Sequence, residues 1–191
     1  MAADMTRNCL QTFVDECRAA AGDQSTPADC VRAIVPLMQR LLPRVGSVLG
    51  TTHRRSDATH YARNAVLIEP TLSLYALVWL PGQWTPVHDH GSWGVVGIVE
   101  GVLFERAYLR PDALAGRDEG ITMSEGGSVA LSPGSVSSFV PNPDHIHVTG
   151  VPVDAAPALT LHLYGRNMES FHIYDLPAGT RKHVMVAHNE S

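Results

Sequence analysis

Two segments near the start of the chain repeat apolar residues at helical spacing. The first predicts an amphipathic helix, and its apolar positions are Leu10, Phe13, Val14 and Cys17. The stretch "STPAD" then carries helix-start signals, with Thr26 as N-cap and Pro27 at the first helical position. A second apolar stripe follows at Val31, Ile34, Val35, Met38, Leu41 and Leu42. Pro36 falls inside this stripe, where a proline can kink or split a helix, and residues 1–48 are expected to form a helical segment packed on the barrel.

After the polar stretch "GTTHRRSDATHY" the period changes to short, β-rich runs. These runs are "LSLYALVWLPG", "GVVGIVEGVLFERAYL", "GGSVALSPGSVSSFV" and "ALTLHLYG". Pro, Gly and Asp turns separate them, which is typical of a β-sandwich or barrel. The pattern predicts a mainly β protein, a barrel carrying an N-terminal helical layer, built as a single domain over residues 1–191.

Composition and charge narrow the functional classes. A net charge of -5 argues against a surface for nucleic acid or for an anionic membrane. The start "MAADMTRNCLQTF" lacks a basic region followed by an apolar stretch, and no apolar run approaches the roughly 18 residues that cross a bilayer. Three cysteines, an odd number, fit reduced thiols, so a cytoplasmic location is expected. The sequence does not decide the oligomeric state between a monomer and a small homo-oligomer.

The stretch "PVHDHGSWGVVGIVEG" contains two histidines one residue apart. On a strand, residues i and i+2 share a face, so His88 and His90 are expected to project together while Asp89 faces away. Two such imidazoles can bind one metal ion, and the alternative is a pair of surface histidines on an edge strand. Gly82 lies six positions before His88, and Gly101 lies eleven after His90.

Two later stretches supply further candidates. In "SVSSFVPNPDHIHVTG", both His145 and His147 are candidates for a third metal ligand. In "LTLHLYG", alternation places Thr160, His162 and Tyr164 on one face of a strand. A hydroxyl, an imidazole and a phenol on one face predict a hydrogen-bonded relay, and the alternative is an outward polar face.

These motifs resemble a known family. The His88/His90 pair between its two glycines resembles the first cupin motif, with Gly94 where that motif carries a glutamate ligand. Together "YARN", "HDHGSWG", "DHIHV" and "LTLHLYG" resemble the cysteine dioxygenase (thiol dioxygenase) family of cupins, over about residues 61–164. The resemblance implies a jelly-roll-like, cupin-type β-barrel with a bound Fe²⁺ ion. In that family the third iron ligand precedes the relay histidine by fifteen residues, which implies His147 rather than His145.

The resemblance also assigns roles by residue. It implies an iron site made of His88, His90 and His147. It implies that the catalytic Ser-His-Tyr relay falls on Thr160, His162 and Tyr164, with threonine keeping the hydroxyl. The implied substrate contacts are the carboxylate anchor Arg63, its neighbour Tyr61 and, as a further candidate, Arg166.

The implied activity is the addition of both atoms of O₂ to the sulfur of a small carboxylated thiol, first of all L-cysteine, giving cysteine sulfinate. Three neutral imidazoles leave the charge of a divalent ion uncompensated, which suits a thiolate substrate. Two positions depart from animal members. Gly94 offers no sulfur for a thioether to the relay tyrosine. Gly165, in "YGRN", is more frequent in bacterial relatives that oxidise 3-mercaptopropionate, but those relatives usually carry glutamine in place of Arg63.

Alternatives remain at two levels. Within the same chemistry, 3-mercaptopropionate or mercaptosuccinate replaces cysteine as the substrate. In another class, the histidines belong to a three-histidine zinc enzyme that activates water, or to a non-catalytic cupin that binds metal without consuming oxygen. The expected partners are a small thiol and O₂, with no nucleic acid and no membrane.

Overall fold

Two helices precede a set of strands in the computed structural model, which describes residues 2–24, 26–111, 116–141 and 145–189. The helices are α1 (Ala2–Gly22) and α2 (Pro27–Val45), followed by a 3₁₀ turn at Thr51–Arg54. The strands within these residues are β1 (Ala62–Ile68), β2 (Ser73–Trp79), β3 (Val87–His88), β4 (Gly94–Glu100), β5 (Leu103–Leu109), β6 (Ser124–Leu131), β7 (Val136–Phe139), β8 (Ile146–Gly150), β9 (Ala158–Tyr164), β10 (Ser170–Asp175) and β11 (Thr180–Met185).

Helix α2 begins as its sequence predicts. The Thr26 hydroxyl accepts a hydrogen bond from the backbone N–H of Asp29 at 3.2 Å, and Pro27 occupies the first turn. The helix then runs without interruption through Pro36 and Pro43, so Pro36 does not divide it. Its apolar stripe is buried, and this packing against the sheet below offsets the hydrogen bonds that the prolines remove.

The strands form two antiparallel sheets. One has the order β1-β2-β9-β4-β7 and the other the order β11-β10-β3-β8-β5-β6. One core cluster joins α1 and α2 to β2, β4 and β9, so the helices cover one face of the five-stranded sheet. A second cluster combines residues of β1, β2 and β4 with Phe171 of β10, so it lies between the sheets. The predicted fold class is confirmed: a mainly β protein whose two antiparallel sheets carry an N-terminal layer of two helices.

The sequence pattern did not predict some of the strands. Strand β1 and the β10–β11 hairpin lie outside the predicted runs, and β10 pairs directly with β3. Strand β3 ends at His88, so His90 lies just beyond the strand instead of on it. No helix within the described part of the chain is long and apolar enough to cross a membrane.

Candidate metal centre

Three buried histidines converge between the sheets. His88 lies directly opposite His147 in the β3–β8 pair, and His90 follows two residues after His88. The centre of the His88 ring is 4.7 Å from the centre of the His90 ring and 4.6 Å from that of the His147 ring. One ring nitrogen from each of the three lies within 4.8 Å of the other two. This geometry is a three-histidine metal-binding site.

The protonation of these rings suits a metal ion. Burial, together with neighbouring histidines, holds the pKa of His88 and of His90 well below the usual value, and burial also lowers the pKa of His147. Each ring is therefore neutral near pH 7 and offers a lone pair. Nδ1 of His90 and Nε2 of His147 are buried without a hydrogen-bond partner among the described residues. Buried polar atoms are normally paired, so these two orphaned nitrogens fit a bound metal ion, and imidazole ligands suit iron, zinc or copper.

Asp89, the residue between the first two ligands, connects their segment to strand β10. Asp89 is 3% exposed and points away from the site. Its carboxylate accepts hydrogen bonds from the Tyr174 hydroxyl at 2.7 Å and from the His172 backbone N–H at 3.0 Å, both on β10. The pairing of β10 with β3 therefore fixes the histidine segment. Sequence reasoning missed this contribution because it had placed no strand at β10.

A chain of hydrogen bonds lies on β9 in the facing sheet. Thr160 Oγ1 is 2.8 Å from Nε2 of His162, and Nδ1 of His162 is 3.2 Å from the Tyr164 hydroxyl. All of β9 is buried, so an outward polar face is excluded. The chain extends by one residue, because the Trp79 indole N–H donates to Thr160 Oγ1 at 2.9 Å. Trp79 was missed, although the alternation of Tyr75, Leu77 and Trp79 in β2 marks it as facing the same interior.

Burial also sets the protonation of this chain. It lowers the pKa of His162 to about 3, with the nearby His147 and Arg63 adding to the effect. It raises the pKa of Tyr164 well above that of an exposed phenol. Near neutral pH the imidazole is therefore uncharged and the phenol keeps its proton.

Arg63 and Tyr61 line the same cavity as the three metal-site histidines and as His162 and Tyr164 of the relay. The Arg63 guanidinium donates to the Met168 carbonyl at 2.5 Å and lies 4.6 Å from the centre of the Tyr75 ring. Tyr61 stacks on Trp79 with ring centroids 4.5 Å apart. Both residues are thus held in the cavity wall by their neighbours, and a contact with substrate stays a prediction.

Arg166 lies elsewhere. Its guanidinium donates to the His90 carbonyl at 3.0 Å and also to the Ser170 carbonyl. It is not among the described residues that line the cavity. The side chain therefore ties the segment after the first two ligands to the start of β10, and a contact with substrate stays a prediction.

Two glycines near the relay are explained by aromatic packing. Gly94 lies opposite Tyr164 on one side and Phe139 on the other, and an added Cβ would overlap the Phe139 ring. That ring stacks on His90 with centroids 4.2 Å apart, so it fills the space that a side chain at position 94 would need. An added Cβ at Gly165 would overlap the indole of Trp93. Close packing against Trp93 therefore gives a structural reason for glycine at position 165.

The chain matches one known protein family and is similar to several solved structures. The sequence model of the family "Cysteine dioxygenase type I" matches residues 18–176. Similar solved structures include a protein of Thermus thermophilus, with TM-score 0.44 and 20% identity over 61% of this chain and 92% of that one. Another is a Klebsiella pneumoniae protein with a double-stranded β-helix domain, with TM-score 0.46 and 15% identity over 64% of this chain and 91% of that one. A cupin superfamily protein of Desulfitobacterium hafniense has TM-score 0.42 and 11% identity over 64% and 87%.

Proposed function

Because the chain belongs to the cysteine dioxygenase type I family, we propose that it is a non-haem iron thiol dioxygenase whose preferred substrate is L-cysteine. The observation that carries this proposal is that one cavity is lined by the three histidines, by Arg63 and by His162 and Tyr164 of the relay. The overall reaction is R–SH + O₂ → R–SO₂H. Both oxygen atoms enter the product and the sulfur supplies the electrons, so no further reductant is required.

The three ligands favour a thiolate. His88, His90 and His147 would hold Fe²⁺ as neutral imidazoles, so the protein itself supplies no negative charge to the ion. A substrate sulfur that loses its proton supplies that charge, and a nearby cation lowers the pKa of a thiol. When bound, the iron supplies the activation of O₂ towards sulfur.

The relay keeps a proton at the Tyr164 hydroxyl. If Trp79 donates to Thr160, then Thr160 donates to Nε2 of His162, and Nδ1–H of His162 donates to the Tyr164 oxygen. The phenol then keeps its own O–H for an oxygen atom of the ligand in the cavity. In this arrangement His162 and Thr160 orient the donor, and Tyr164 is the group that touches the reactants.

Arg63 is the proposed partner of the substrate carboxylate. Its planar fork can make two charge-assisted hydrogen bonds, and the Met168 carbonyl fixes the fork at the cavity wall. The case for 3-mercaptopropionate came from Gly165, and the overlap with Trp93 gives that glycine a packing reason instead. The balance of support therefore favours cysteine.

Oxygen uptake tests the activity. The iron-loaded protein is given L-cysteine, 3-mercaptopropionate, mercaptosuccinate and cysteamine in turn, and the product is identified by mass spectrometry. We expect one O₂ consumed per cysteine and a product heavier by two oxygen atoms. The zinc-loaded protein serves as the control and should consume none. No uptake with any thiol would instead favour a zinc enzyme or a non-catalytic cupin.

Arg63→Ala tests the carboxylate contact. A hydrogen bond to a charged group contributes about 1.5–3 kcal/mol, so kcat/KM for cysteine should fall at least about tenfold. Cysteamine has no carboxylate and should be affected far less. Arg32→Ala, which removes an exposed arginine of α2, is the control and should leave both substrates unchanged. Equal losses on cysteine and cysteamine would show that Arg63 supports the fold and not the carboxylate.

A further inference from the structure

A carboxylate lies behind one of the three metal ligands. Glu105, on β5, has Oε2 at 3.2 Å from Nδ1 of His147 and Oε1 at 3.2 Å from Nε2 of His145. The Glu105 side chain is 11% exposed and that of His147 is 4% exposed, so the contact lies largely out of water. Ala107 lies opposite His147 in the β5–β8 pair. Glu105, two residues before Ala107, therefore reaches the same imidazole diagonally across the strands.

This carboxylate determines which nitrogen of His147 carries the proton. An ionised carboxylate only accepts hydrogen bonds, so Nδ1 of His147 is the N–H group and Nε2 holds the free lone pair. Nε2 is also the atom that is buried without a partner among the described residues. Nε2 of His145 lies 3.2 Å from the same Nδ1, but a charged acceptor makes the stronger bond. His145 accordingly donates to the other carboxylate oxygen.

The other two ligands are oriented by different means. Nδ1 of His88 lies 3.1 Å from the Pro86 carbonyl oxygen, which is a neutral acceptor. The ring of His90 stacks on Phe139 with centroids 4.2 Å apart. Among the residues that the structure describes, His147 is the only one of these three ligands whose ring nitrogen contacts a carboxylate.

We propose that Glu105 is a positioning residue of the metal site, because its carboxylate fixes the tautomer and the orientation of His147. It also places one negative charge a single hydrogen bond away from a site whose three ligands are neutral. A carboxylate behind a ligating imidazole makes the ligand nitrogen more basic and so strengthens metal binding. The inference rests on the three-histidine site and not on the iron or the thiol of the proposed function, so a metal ion alone can test it.

Cobalt(II) binding by the full chain is the test, followed by visible absorption and by competition with a chelator. Glu105→Ala should weaken cobalt binding by about 10–100-fold and shift the absorption bands, because His147 loses its fixed orientation. Glu105→Gln should lose less, because its amide oxygen still accepts from Nδ1. Glu125→Gln is the matched control, since Glu125 is 64% exposed on β6 and pairs with Arg106. It should bind cobalt as the wild type does.

Two results would overturn the proposal. One is wild-type affinity and absorption in both Glu105 variants. The other is two cobalt ions per wild-type chain and one per Glu105→Ala chain, which would make Glu105 a ligand of a second ion. Circular dichroism of the metal-free variants checks folding, and if Glu105→Ala fails to fold, the nearly isosteric Glu105→Gln decides alone. A wild-type protein that binds cobalt as expected but consumes no O₂ with iron would count against the proposed function only.

Discussion

His145 and His147 are two residues apart, yet their rings reach different groups. His147 lies opposite His88 and shares its site, whereas the His145 ring stacks on Phe139 at 4.9 Å and turns its Nε2 to Glu105. Changing His147 to alanine should therefore remove most of the bound iron and nearly all turnover, as should the same change at His88 or His90. His145→Ala should retain most of both. Metal content and oxygen uptake measure this, and the reverse pattern for the two variants would show that the ligand was misassigned.

Tyr164 should remain an unmodified phenol. Gly94, its cross-strand neighbour, has no sulfur, and Phe139 fills the space beside it. The intact mass of the purified chain should show no loss of two hydrogen atoms, and peptide mapping should find Tyr164 unlinked. Tyr164→Phe should keep its metal and lose turnover, because only the hydroxyl is removed. A peptide joining Tyr164 covalently to a cysteine would contradict this expectation.

At the scale of single residues, the sequence predicted those site residues that lie together in one short motif. His88 and His90 share one motif, and Thr160, His162 and Tyr164 follow from alternation along one strand. Trp79, Phe139 and Glu105 were missed because each acts on a group of another strand. Those contacts depend on strand order and register, which no local pattern contains.

At the scale of elements, the same limit explains which strands were found. Runs rich in apolar residues, such as β2 and β9, were predicted because they are buried along almost their whole length. Strand β11 lies at the edge of its sheet, β10 pairs with β3 over only two residues, and both strands mix apolar with polar and charged residues, so their pattern is weak. Pro36 leaves α2 undivided for a different reason, since the helix is held by tertiary packing and not by local propensity.

Gly97 determines how closely α2 approaches β4. An added Cβ would lie 2.8 Å from Met38 Sδ and 2.9 Å from Leu42 Cδ2, closer than side-chain atoms normally pack. Gly97→Ala should therefore lower the free energy of unfolding by about 1–3 kcal/mol, the usual cost of overpacking. Urea unfolding measures the change. Gly127→Ala on β6 is the matched control, because nothing lies within 4 Å of its added Cβ. Equal midpoints for the two variants would refute the close approach.

At the scale of the whole molecule, the two sheets supply different residues of the site. The six-stranded sheet supplies His88, His147 and the anchor for Asp89. The five-stranded sheet supplies Arg63 and the relay, and the helices cover its other face. The distance between the sheets therefore sets the distance between metal and relay. Packing of the helical layer can influence the site through the five-stranded sheet, although the helices supply no residue that lines the cavity.

Burial of the relay between the sheets also makes stability depend on pH. The pKa of His162 is about 3 in the folded protein, because burial disfavours its charged form, and about 6.5 in an unfolded chain. Between these values only the unfolded chain binds the proton, so the free energy of unfolding falls as pH falls below about 6.5. The slope for this one group approaches about 1.4 kcal/mol per pH unit.

The metal-free protein provides the measurement, by urea unfolding between pH 7.5 and pH 5, where carboxylates contribute little. His162→Gln should lose less stability over this range than the wild type, by about 2 kcal/mol, because it removes one proton uptake on unfolding. His60→Gln changes a histidine that is 70% exposed and controls for the loss of an imidazole. The metal ligands are present in both wild type and variant, so most of their own titration cancels in the comparison. Identical pH slopes in wild type and His162→Gln would mean that His162 takes up its proton as readily in the folded protein as in the unfolded chain, and that burial between the sheets does not lower its pKa.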